Sequence, residues 1–68
     1  MRAYILPTAV APLRVQEVAD GYTVWDANSV VVLRSDTKQM SVPTYDEAQF
    51  LVDHPALYID IKPQERWP

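Results

Sequence analysis

A chain of 68 residues with no cysteine, one histidine, one glycine and a formal net charge of −3 has room for a single small domain. Disulfides and thiolate metal sites are excluded, one glycine cannot build a phosphate-cradling loop, and the acidic balance disfavours a polyphosphate partner. With 49% hydrophobic residues the composition is globular, and no apolar run approaches the roughly 20 residues of a membrane span.

A core of this size supplies about 3–5 kcal/mol, so small domains usually borrow stability from a disulfide, a metal or an interface. Only the interface is open to this chain. The fold expected is α+β: a two-layer domain over residues 1–62, an antiparallel β-meander of four to five strands with one helix on one face, followed by a tail over 63–68.

Residues 2–6 read as a first strand. Arg2, the apolar stretch after it and Ala9-Val10-Ala11 imitate a signal peptide, but Pro7-Thr8 interrupts the apolar region. With no cysteine to oxidise, a reducing, cytoplasmic setting is the expectation. Pro7 and Pro12 bracket a stretch unsuited to a helix or a central strand, so it is expected to be an arm or crossover. Residues 13–19 look extended, and Asp20-Gly21 signals a hairpin returning along 22–25.

Asp26-Ala27-Asn28-Ser29 and Ser35-Asp36-Thr37-Lys38 read as two further turns. If both are even in length, Trp25 stands opposite Val30, Val24 opposite Val31, and Leu33 opposite Met40. One face then carries Tyr22, Val24, Val31, Leu33, Met40 and Val42, all apolar or aromatic. The other carries Thr23, Trp25, Val30, Val32, Arg34, Gln39 and Ser41. Val30-Val31-Val32-Leu33 is thus apolar on both faces, and one helix covers only one. The other needs a partner, a second copy or the N-terminal arm.

Thr44-Tyr45-Asp46-Glu47 has the form of a capping box, so a helix is expected over about 44–54, ending before Pro55. Tyr45, Ala48, Leu51 and Val52 share its apolar stripe; Asp46, Gln49 and Asp53 point away, and Phe50 lies off centre. Residues 57–61 alternate as a last strand, with Leu57, Ile59 and Ile61 inward.

Catalytic chemistry is sparse. His54 beside Asp53 sits at a helix end, where a histidine is ordinarily a cap or a stabilising cation. The serines have no glycine-rich elbow, and Asp26, Asp36 and Asp60 lack calcium-loop spacing. No enzyme, metal or cofactor is expected, a hydrolase-like activity being the remote alternative. The favoured function is a protein-binding module acting on a larger protein or complex.

Three surfaces are candidates: the face with Thr23, Trp25, Val30, Val32 and Arg34; the acidic helix face with Asp46, Glu47 and Asp53; and Trp67 in the tail. Helix-start carboxylates also have a purely local role. Single-stranded nucleic acid on Trp25 and Arg34 is the alternative, weakened by the lack of neighbouring lysines. In size, acidity and lack of chemistry the chain is similar to small accessory proteins of phages and mobile elements. That likeness implies inhibition or adaptation of a larger host complex. Open strand edges also allow a homodimer.

Overall fold

In the computed structural model, which describes residues 1–62, the strands form two antiparallel sheets. The elements run β1 (Arg2–Ile5), β2 (Arg14–Val18), β3 (Gly21–Trp25), β4 (Leu33–Ser35), α1 (Tyr45–Asp53) and β5 (Tyr58–Asp60). One sheet has the order β4-β1-β5, and the other is the hairpin β2-β3. The class is α+β, as the sequence indicates, but the continuous meander is replaced by this split. The expected tail, with Trp67, lies outside the described residues.

The split begins at the turn after β3. The Asp26 carboxylate accepts the amides of Asn28 at 2.8 Å and Val30 at 3.1 Å, and the Asp26 amide bonds the Val30 carbonyl at 3.0 Å. Ser29 takes a left-handed φ of 60°. Val31, rather than Val30, therefore bridges Trp25, so the turn is one residue longer than expected and the register slips by one. After one more bond, from the Val32 amide to the Val24 carbonyl, the chain leaves β3 and pairs with β1 as β4.

Val32 and Leu33 sit where the chain crosses between sheets, and both are buried, at 2% and 0% exposure. The apolar stretch is covered by the chain's own N-terminal segment. The Leu6 amide bonds the Val32 carbonyl, and Ala3 and Ile5 join Val24, Val32, Leu33, Val42, Ala48 and Leu51 in the core. Burying each of the leucines contributes roughly 1.5–3 kcal/mol.

Residues 39–42 do not form the third strand of a hairpin with 31–34. Val42 instead exchanges two backbone bonds of 2.8 Å with Tyr22 on β3. Met40, expected inside, is 49% exposed. Gly21 is required here: its φ is +137°, and a Cβ would collide with the Val42 carbonyl oxygen.

Helix α1 starts on the expected capping box, with Thr44 Oγ1 accepting the Glu47 amide at 3.3 Å and the Glu47 carboxylate accepting the Thr44 amide at 3.1 Å. Ala48 and Leu51 are fully buried. Tyr45, expected on the buried stripe, is exposed, its ring edge-on to Tyr22 with centroids 5.9 Å apart. Leu57, expected inward, is also exposed, whereas Ile59 and Ile61 pack on the core. Among the described residues no helix is long and apolar enough to cross a membrane.

Candidate functional site

Strand β1 alternates strictly. Ala3 and Ile5 face the core, while Arg2 and Tyr4 face outward. As the middle strand, β1 sets Tyr4 directly opposite both Arg34 on β4 and Tyr58 on β5. Residues directly opposed in antiparallel strands share a face, so Arg34, Tyr4 and Tyr58 form one row across the outer surface. Tyr4 is 39% exposed and Tyr58 53%.

The next row sets Arg2 opposite Asp60. Arg2 Nε donates to Asp60 Oδ1 at 3.2 Å, and its guanidinium carbon lies 4.2 Å from the Tyr58 ring centroid. The Asp60 hydrogen bond and the neighbouring Tyr58 raise the Arg2 pKa above its already high ordinary value. The ion pair is solvated on both sides and so adds little to stability. Asp36 accepts the Arg2 amide at 3.0 Å, and the Arg34 guanidinium donates to the carbonyls of Val31 and Leu33 at 2.9 and 3.0 Å.

Two arginines and two carboxylates thus leave the face neutral in sum. A separate open groove of about 550 Å³ lies where β1 gives way to the N-terminal arm, lined by Ile5, Leu6, Pro7, Ala11, Leu13 and Pro55. The sheet surface offers two aromatic rings side by side, two guanidinium groups and two carboxylates. Among the described residues no three histidines or carboxylates converge as metal ligands.

The residues singled out from sequence are dispersed. Thr23 is 2% exposed and spends its hydroxyl on the Met40 carbonyl at 2.6 Å; Val32 belongs to the core. Neither side chain reaches a partner, which corrects their placement on an open face. Trp25 is half-buried, its indole Nε1 enclosed without an acceptor and its ring 5.0 Å from the guanidinium of Arg14. Arg14 is held in turn by Ser29 Oγ at 3.4 Å. Arg34 is therefore not the partner of Trp25: it lies in the other sheet, beside Tyr4.

Val30 is 50% exposed in the turn. Asp46 and Asp53 lie exposed on α1, Asp53 accepting Gln49 Nε2 at 3.0 Å, and Glu47 is engaged in the cap. Asp26, a turn residue in the sequence reading, is a buried anchor. Burial opposes its ionisation, but the amides of Val30, Val10 and Asn28 outweigh burial and hold its carboxyl below the usual range.

Tyr4 and Tyr58 were not singled out from sequence. The alternation of Arg2-Ala3-Tyr4-Ile5 and of Tyr58-Ile59-Asp60-Ile61 carries the signal that each tyrosine faces outward. Their adjacency comes from pairing the first strand with the last. No family model, curated protein or solved structure matches the chain.

Proposed function

We propose that the chain is a protein-binding module without chemistry of its own, and that the outer face of the β4-β1-β5 sheet is its contact surface. One observation carries the reading: Tyr4 and Tyr58 stand exposed side by side on a paired strand scaffold, flanked by Arg2 and Arg34. Tyrosine and arginine on a rigid support are the residues in which interface binding energy concentrates, because they offer large contact area for few lost rotamers.

The partner's chemistry follows from the charges. Arg2 is paired with Asp60 and Arg34 with backbone carbonyls, so the face suits a neutral, apolar or aromatic segment of a larger protein. A nucleic-acid strand would also stack on the tyrosines, but its phosphates would meet Asp36 and Asp60 beside the arginines. Occlusion or adaptation of a larger assembly, in the manner of small phage accessory proteins, is the role we attach to this surface.

The test is affinity capture with the wild-type chain and with a Tyr4→Ala/Tyr58→Ala variant whose circular dichroism matches it. A protein retained by the first and lost by the second is the expected result. Equal capture by both would remove the tyrosine face from the reading. Salt-sensitive binding of a single-stranded oligonucleotide, abolished in the double variant, would replace it with the nucleic-acid alternative.

A further inference from the structure

The sheet containing the tyrosines has an open edge at β5. The Met1 ammonium donates to the Ile61 carbonyl at 2.8 Å and the Ile61 amide to the Met1 carbonyl at 2.7 Å, which fixes the phase of the β1–β5 ladder. Ala3 and Ile59 are the next bonded pair, so the N–H and C=O groups of Tyr58 and Asp60 point away from β1. Among the described residues, nothing pairs with them.

The edge of the other sheet differs. Tyr22 and Val24 bond Val42 and Val32, so the free groups of β2 belong to Val15 and Glu17. There the Glu17 carbonyl is capped by the Gln16 side-chain amide at 3.1 Å. A strand edge blunted by its own side chain is a poor template, whereas the bare edge of β5 is a good one.

We propose that the chain self-associates by antiparallel pairing of β5 with β5 of a second copy, setting Tyr58 opposite Asp60 and Ile59 opposite Ile59. A two-fold axis perpendicular to the sheet keeps each face on its own side, so only residues of one face can oppose each other. Setting Asp60 on Asp60 opposes like charges. Setting Tyr58 on Tyr58 carries Asp60 past the strand onto Ala56 in the turn.

The Tyr58–Asp60 register uses every open group of β5 and opposes no like charges. On the inner side it brings Ile59 onto its copy and Leu57, 52% exposed, onto Ile61. On the outer side the row Arg34, Tyr4, Tyr58 continues into Asp60, Arg2 and Asp36 of the second copy. Two three-stranded sheets become one of six strands, and the two tyrosine pairs share one surface.

The test needs no foreign partner and stands or falls separately from the binding reading. Light scattering of the wild-type chain, from low micromolar to millimolar concentration, should show the mass rise from 7.8 kDa to twice that value. Asp60→Pro removes an outward amide without touching the β1 ladder and should stay monomeric; Asp60→Ala keeps that amide and should still double.

Because the chain has no cysteine, Ile59→Cys should oxidise to a linked dimer across a non-hydrogen-bonded pair, whereas Gln16→Cys on β2 should not. In the unmodified protein, amide exchange at Tyr58 and Asp60 should slow as concentration rises, which reads the interface without a variant. A monomer at every concentration overturns the proposal. So does a dimer in which those two amides exchange at a concentration-independent rate.

Discussion

The Trp25 corner and the tyrosine face are built from the same materials, aromatic rings with arginine nearby, and use them in opposite ways. At the corner, Arg14 lies over the indole, Ser29 holds Arg14, and the arm residue Val10 is tied down by Asp26. The aromatic surface is spent internally. On the β4-β1-β5 sheet, the Arg2 side chain meets the Tyr58 ring and Asp60, and both tyrosines remain open to solvent. Residue content therefore does not tell an open aromatic face from a closed one; cross-strand neighbours and what passes over them do.

The harshest way to break the comparison is to force the closed half apart. Gly21→Ala drives a methyl into the Val42 carbonyl and should cost roughly 3 kcal/mol or more, nearly all that so small a core supplies. Urea titration followed by circular dichroism should find it largely unfolded in buffer. Next, Val32→Ala should cost roughly 2 kcal/mol, because Val32 fills the junction of the sheets. Val30→Ala, two residues away in the turn and half-exposed, should stay within about 0.5 kcal/mol. Equal costs would mean that the junction is not where the structure puts it.

Acid should separate the regions by a local opening. The Asp26 pKa is lower in the folded chain than in the unfolded one, so its contribution is complete above the ordinary aspartate value of about 4. It is lost as pH falls through that value toward the depressed one. Amide exchange at Val10, Asn28 and Val30 should accelerate in that window, while exchange along β1 and β5 should not. In Asp26→Asn the acceleration should vanish.

The smallest expected effects concern the two arginine–aromatic contacts. In a Trp67→Phe background, Arg14→Ala should red-shift Trp25 emission and increase its quenching by acrylamide, for less than about 1 kcal/mol of stability. Tyr58→Ala should be nearly neutral in stability, within about 0.5 kcal/mol, because its ring is already largely solvated.

What was legible in the sequence was local. The Thr44–Glu47 cap, the Gly21 turn and the alternation of β1 and β5 need only residues within a few positions of each other. The register of 30–33 was not legible, since it depends on how many amides Asp26 gathers and on whether the next strand pairs with β3 or with β1. The neighbours of Trp25 and of Tyr4 depend on the same choice. Placing Arg34 with Trp25 followed from the meander, and it fails where the meander divides.

The strand order also imposes a schedule on folding. Within this chain β1 is synthesised before either of its sheet neighbours, β4 and then β5, so the centre of the sheet is made before its flanks. β1 has nothing to pair with until residue 33 has emerged, and it gains its second neighbour only when residues 58–60 are free. Such non-local closure is intrinsically slow. Until it completes, Ala3 and Ile5 are exposed apolar residues on an unpaired strand, so premature arrest of synthesis before β5 would leave a fragment prone to aggregate.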